Sequence, residues 1–159
     1  MKPTTNPTAL RVQAQLDALG RGHRIVEFET TTRTAADAAA AIGCQVAQIV
    51  KTLIFKGAQS GRAVIALTSG ANRVDERALA ALAGEPVVKA DADFVRAATG
   101  YAIGGVCPVG LPADVHTFID PDLLTFETIW AAGGTPATVF ALTPADLQAM
   151  THGRVGKVS

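Results

Sequence analysis

Lys51 interrupts an apolar run, Val50-Lys51-Thr52-Leu53-Ile54-Phe55, and about fifty residues later comes a glycine-rich stretch, Gly100-Tyr101-Ala102-Ile103-Gly104-Gly105-Val106-Cys107-Pro108-Val109-Gly110. In an extended strand Lys51 shares a face with Leu53 and Phe55. An ammonium on such a face either snorkels to water at the strand end or borders a cleft, where it can hold a phosphate, a carbonyl oxygen or developing negative charge. The glycines admit two readings as well. Gly104, Gly105 and Gly110 can serve a bulge and a tight turn stiffened by Pro108, or a bare backbone can bring its N–H groups up to an ester carbonyl. One such donor to an oxyanion lowers a barrier by about 3 to 4 kcal/mol. One lysine and a set of peptide donors suffice to polarise a carbonyl.

Other reactive side chains offer less. Cys107 lies inside the glycine stretch, but no neighbouring histidine or helix start would lower its pKa, so it reads as a structural or pocket-lining thiol. His23, His116 and His152 are scattered without metal-ligand spacing. Cys44 and Cys107 make neither a disulfide framework nor a zinc pair, and both are expected reduced. Thr68-Ser69-Gly70 is either a simple turn or a source of hydroxyls at a strand end. Asp120, before Pro121, caps a turn or supports the cleft from the end of a neighbouring strand. Lys56 reads as a solvated charge and Trp130 as packing. No GxGxxG and no Walker-type sequence occurs.

These residues must be positioned by alternating helices and strands. Asn6-Pro7 opens a helix with Leu10, Leu16 and Leu19 facing inward and Gly20 as its stop. A strand follows over Arg24 to Glu29. Thr34 and Asp37 form a capping box ahead of an alanine-rich helix closed by Gly43. A helical turn covers Gln45 to Ile49. The runs Val50 to Lys56 and Arg62 to Thr68 flank a hairpin loop and should pair antiparallel. Helices are predicted over Glu76 to Ala83, Asp91 to Thr99 and Pro144 to about Met150, the first capped by Asp75. Further strands are predicted at Pro86 to Lys89, Tyr101 to Gly104, Val115 to Ile119, Thr128 to Ala132 and Thr138 to Leu142. Such mixed spacing indicates an α+β domain around a curved mixed sheet.

At 159 residues, 48% apolar and 18% charged, the chain has the make-up of one globular domain over 1–159. Fourteen basic residues balance fourteen acidic ones, with no basic run suited to a long phosphate backbone. A nucleic acid partner would have to be gripped locally, as at an RNA end; a DNA partner is not expected. No stretch resembles a signal peptide or reaches the ~20 apolar residues of a membrane span, so no membrane partner and a cytoplasmic location are expected.

Lys51-Thr52-Leu53 in a strand, Gly100-Tyr101 followed by Gly104-Gly105-Val106-Cys107-Pro108, the strand end Phe118-Ile119-Asp120 and the Gly133-Gly134 turn, in that order, resemble the YbaK and prolyl-tRNA-synthetase-associated domain family. The likeness runs from about residue 8 to 155. Family members are free-standing or synthetase-embedded editing domains that hydrolyse amino acids wrongly attached to tRNA, chiefly tRNA for proline. The resemblance implies an α+β domain with a barrel-like mixed sheet flanked by helices, and neither a metal nor an organic cofactor. Lys51 matches the family's essential lysine. Gly104 to Pro108 matches its GxxxP loop, which would make Gly104 and Gly105 catalytic through their backbone, with Val106, Cys107 and Pro108 beside the substrate. Thr52, Ser69, Asp120 and Gly134 complete the expected substrate-binding set.

The resemblance implies the aminoacyl-tRNA 3′ end as partner, that of tRNA for proline above all, and prolyl-tRNA synthetase as a further one. The expected activity is trans-editing deacylation of a small amino acid: cysteine, serine, threonine, 2-aminobutyrate or alanine. The alanine-specific branch carries a histidine near the turn where this chain reads Gly133-Gly134-Thr135-Pro136, which puts alanine in doubt. Two other readings stay open: a non-catalytic module that shields the aminoacylated end or binds a synthetase, and a thiol enzyme built on Cys107.

Overall fold

Each helix begins on a side chain that accepts the first free backbone N–H groups and ends on a residue in the left-handed region, so local chemistry sets its length. The computed structural model describes residues 1–159. In chain order the elements are β1 (Lys2–Pro3), α1 (Pro7–Leu19), β2 (Ile25–Glu27), α2 (Ala35–Ile42), β3 (Val50–Gly57), β4 (Ala63–Ser69) and α3 (Glu76–Ala83). They continue with β5 (Val87–Lys89), α4 (Ala92–Thr99), β6 (His116–Ile119), β7 (Ile129–Ala132), β8 (Thr138–Leu142), α5 (Pro144–Thr151) and β9 (Arg154–Val155), and short 3-10 turns occupy Val46–Gln48 and Pro121–Thr125. Asn6, Thr34, Asp75, Asp91 and Thr143 are the N-caps. Gly20, Gly43, Gly84 and Gly100 close four helices, and His152 closes the fifth at φ 53°.

Two local expectations change. In α1 the inward positions are Ala9, Val12 and Leu16, while Leu10 and Leu19 are 49% and 45% exposed. Steps of three and four residues keep to one helical face, which the leucine spacing does not. In α2 the Thr34 hydroxyl caps Asp37 N–H as anticipated, but the Asp37 carboxylate accepts from Arg33 N–H and not from the cap residue.

The strands form two sheets, ordered β1-β2-β8-β7 and β5-β3-β4-β6-β9. The β3–β4 hairpin pairs antiparallel with Val50 opposite Ser69 and Lys56 opposite Ala63, while β4, β6 and β9 run parallel. The fold is α+β, but the sheets do not close into the barrel-like form expected from the sequence. Just ahead of β3, Ile49 makes one isolated parallel bridge to Trp130 of β7, and no ladder continues from it between the two strands. On that side β3 gains a partner again only at Phe55 to Gly57, from β5.

Residues 101–104 are likewise not a strand. Gly104 turns to φ +85° and Gly105 N–H bonds the Ala102 carbonyl, which closes a turn that extended backbone cannot make.

The largest core cluster lies under α1 and α5, with Leu16, Ile65, Ile119, Ile129 and Phe140 essentially fully buried. A second packs Phe55, Val64 and Phe118 beneath α3. Burying each such side chain is worth roughly 1.5 to 3 kcal/mol. A third, smaller cluster seats α2 through Ala38 and Ala39 on Phe28, Ile49 and Val139.

Candidate active site

The parting of β3 from β7 opens a cavity of about 620 Å³, within the range that holds small ligands. Lys51, Thr52 and Leu53 form one wall; Trp130 and Ala132 of β7 with Val139 of β8 form another. Arg33 and the first turn of α2 border it on one side, Gly104, Val106 and Pro136 on the other. Lys51 and Arg33 are its charged lining residues, and no Asp, Glu, His or Cys borders it. The chemistry on offer is that of a cation and peptide groups facing an apolar chamber.

Lys51 is partly buried and makes no ion pair. Its Nζ donates to the main-chain carbonyl of Asn72, leaving two further ammonium donors. Asn72 is itself fixed: its Nδ2 donates to Asp120 Oδ2 at 2.9 Å and to Asp122 Oδ2 at 2.7 Å. Burial lowers the Lys51 pKa below its usual 10.5, the Arg73 charge lowers it further, and the Asp120 carboxylate opposes both. The ammonium is thus short of solvation, a condition that a bound anion relieves.

Thr52 contributes in two ways. Gly57 N–H donates to the Arg62 carbonyl at 2.8 Å, so by alternation Phe55, Leu53 and Lys51 spend their backbone groups on β4, and those of Thr52 point to the unpaired edge. Its Oγ1 is buried without a hydrogen-bond partner in the protein. A buried hydroxyl left unbonded costs about 1 to 3 kcal/mol, which a polar ligand atom can recover.

In the glycine segment the residues divide. Gly104 and Val106 line the cavity, and neither N–H donates within the protein. Gly105 does not supply a free donor as expected, because its N–H is spent on Ala102 at 3.0 Å. It is glycine for another reason: a Cβ there would lie 2.8 Å from Thr135 Cα and 2.9 Å from the Gly134 carbonyl oxygen. Gly134, at φ +105°, supplies the other half of this backbone crossing and does not line the cavity. Tyr101 braces the loop, its hydroxyl donating to the Val109 carbonyl at 3.2 Å while burial, with the nearby Cys107, pushes its pKa up to about 12.

Cys107 and Pro108 are buried behind the cavity wall. Burial raises the Cys107 thiol to about 12, against a small lowering by Val109 N–H, so at neutral pH it is not a thiolate. Fully buried and outside the lining, Cys107 gives the thiol-enzyme reading no support. Ser69 and Asp120 also lie outside the lining. Ser69 Oγ donates to the Ala47 carbonyl at 2.7 Å, and Asp120, 1% exposed, accepts from Ser69 N–H, Asn72 Nδ2 and Asp122 N–H. Asp120 therefore ties the end of β4 to the end of β6 and orients the loop that carries the Asn72 carbonyl.

Of the residues singled out from sequence, the fold thus brings Lys51, Thr52, Gly104 and Val106 to one cavity. It sets Ser69, Gly105, Cys107, Pro108, Asp120 and Gly134 behind it. Sequence reading passed over Asn72 and Arg33 and took Trp130 as packing; Trp130 does pack against the third core cluster, and it also lines the cavity. Asn72 acts through its main-chain carbonyl, which leaves no residue-type signal. Trp130 did carry one, since in Ile129-Trp130-Ala131-Ala132 the alternation that buries Ile129 and Ala131 turns Trp130 and Ala132 to the other face, here the cleft.

A family model described as the aminoacyl-tRNA editing domain matches residues 29–150, a span containing every cavity residue except Phe28. This chain belongs to the aminoacyl-tRNA editing domain family. The assignment agrees with the motif order noted above. A crystal structure described as a candidate trans-editing enzyme for prolyl tRNA synthetase superposes on this editing domain with a TM-score of 0.90 at 43% identity, covering 98% of this chain and 99% of the other. The hypothetical protein APE2540 does so at 0.84 with 33% identity over 93% of this chain. Among curated sequences, a candidate Cys-tRNA(Pro)/Cys-tRNA(Cys) deacylase of Enterococcus faecalis, EbsC, is 25% identical to the editing domain over 127 residues, which is 79% of this chain and 77% of its own length. No helix is long and apolar enough to cross a membrane.

Proposed function

We propose that this protein is a trans-editing deacylase that hydrolyses the ester of a small amino acid mischarged on tRNA, with tRNA for proline as its substrate. The observation that carries the reading is that Lys51, Gly104 and Val106 border one cavity, and that the N–H groups of Gly104 and Val106 are unspent within the protein. An aminoacyl ester placed there has its carbonyl oxygen facing a cation and two dipoles, which stabilise the charge that gathers as water attacks the acyl carbon. Collapse of the tetrahedral intermediate breaks the bond to the ribose 3′-oxygen, which leaves with a proton while the amino acid departs as its carboxylate. No carboxylate or imidazole borders the cavity to take the proton from the attacking water. The ester's neighbouring cis-hydroxyl, already poised beside the acyl carbon, is the relay in this reading.

Arg33 and the positive end of α2 offer the terminal phosphate a second cationic contact, and the Trp130 side chain on the opposite wall offers an apolar face to the terminal nucleoside. Cysteine, serine, threonine, 2-aminobutyrate and alanine all fall within the size range. Prolyl-tRNA synthetase is the partner with which such an activity would be paired. The test is deacylation of tRNA for proline charged separately with these five amino acids, with Lys51→Ala as control. Release of free amino acid from at least one ester, lost in the variant, is the expected outcome. Protection of every ester without turnover would instead make the protein a binding module, and decay at the uncatalysed rate with no binding would end both readings.

A further inference from the structure

A second cavity, of about 460 Å³, lies at the N-terminal ends of the parallel strands β6 and β9, away from Lys51. We propose that it is a phosphate-binding site formed by His116, His152 and Arg154. Two strand starts and a helix end bring these three together. Phe118 stands opposite Arg154 in the β6–β9 pair, His116 opens β6, and His152 ends α5 two residues before Arg154, so that all three line the cavity. Alternation along a strand then gives residues 116 and 118 one common face, with Arg154 on the adjoining strand sharing it.

Charge supports the assignment. The cavity lining contains one arginine, two histidines and no Asp or Glu, in a chain whose fourteen basic and fourteen acidic residues cancel overall. None of the three side chains makes a salt bridge or hydrogen bond within the protein. Outside the lining, the Glu85 carboxylate feels the His116 charge, while its hydrogen bonds are to the N–H groups of Gln59 and Ser60, both at 2.9 Å. Asp114 meets Arg62 through its main-chain carbonyl.

The site is also built. The His116 ring packs edge-on against Phe118, with centroids 5.9 Å apart, which orients its plane. His152 is the only non-glycine residue at positive φ, held by its N–H to the Gln148 carbonyl at 2.9 Å. A guanidinium fork and imidazole N–H donors around a concave floor of Leu111, Val115 and Met150 match the oxygens of a phosphate ester. Two sources share that chemistry: a backbone phosphate of the tRNA and a small phosphorylated metabolite. Gly104 at the first cavity and Gly110 at the second are six residues apart, within about 20 Å of chain, so one RNA strand could span both.

The experiment follows the imidazole proton resonances of the whole protein during titration with inorganic phosphate at constant ionic strength. Saturable shifts of the His116 and His152 signals, at least tenfold weaker in Arg154→Gln and in His152→Asn, are expected; asparagine tolerates the left-handed backbone, so the second variant keeps its fold. Lys51→Ala should bind phosphate as the wild type does, which separates this site from the deacylase reading. Displacement of phosphate by uncharged tRNA assigns the site to the nucleic acid, and displacement by adenosine monophosphate alone assigns it to a metabolite. Absence of saturable shifts, or equal shifts in folded Arg154→Gln, overturns the proposal.

Discussion

The ammonium of Lys51 is held by the main-chain carbonyl of Asn72, and by no carboxylate. A carbonyl orients the side chain without neutralising it, so the charge stays available to a ligand while burial depresses its pKa. Lys51→Ala should lower kcat by about 10² to 10³, the scale seen when one oxyanion contact is lost. The sign of the pH dependence follows from the lowered pKa. Activity that needs the ammonium is present below the folded pKa and declines as pH rises through it, at a lower pH than an ordinary lysine near 10.5 would give. A kcat/KM profile corrected for hydroxide-driven ester loss reads this limb, and Lys51→Arg should abolish it up to pH 10.

Asn72→Ala removes the donor shared by Asp120 and Asp122 and frees the loop that carries the Asn72 carbonyl. The expected loss of activity is about tenfold. Because burial is the largest cause of the Lys51 shift, loosening the loop should also move the alkaline limb up toward the ordinary lysine value. A fall in rate with the limb unmoved would mean that Asn72 acts on stability alone.

Thr52→Val keeps the shape and strand preference of the side chain and deletes the unpartnered hydroxyl. If that hydroxyl faces the acyl group, hydrolysis of a serine ester should fall about tenfold relative to an alanine ester, the worth of one neutral hydrogen bond. The ratio of the two kcat/KM values measures it. An equal change on both esters would put the hydroxyl outside the acyl pocket.

Gly105→Ala sets a methyl group against the backbone of Gly134 and Thr135, which unlike a side-chain tip cannot step aside. Overpacking of this kind costs about 1 to 3 kcal/mol. Thermal unfolding should show the lower Tm, and deacylation should fall further than stability requires, since the same crossing holds the loop whose Gly104 and Val106 line the cavity.

What the sequence determined by itself is local. The caps Asn6, Thr34, Asp75, Asp91 and Thr143 each bond N–H groups two or three residues on, and the β3–β4 hairpin is closed by a short turn. Such contacts depend on residue type and spacing, which a sequence states directly. Lys51 was legible for the same reason, as a charge in an apolar run.

Tertiary structure decided everything that rests on separation in the chain. Whether Gly105 N–H was free depended on where Ala102 turned, and whether the face that carries Trp130 met core or a cleft depended on what the fold packs opposite it. The path from Lys51 through Asn72 to Asp120 spans 69 residues of sequence, and its middle link is a backbone carbonyl, a group that every residue possesses. No side-chain pattern can announce it; only the packing of β4 beside β6 brings it to the ammonium.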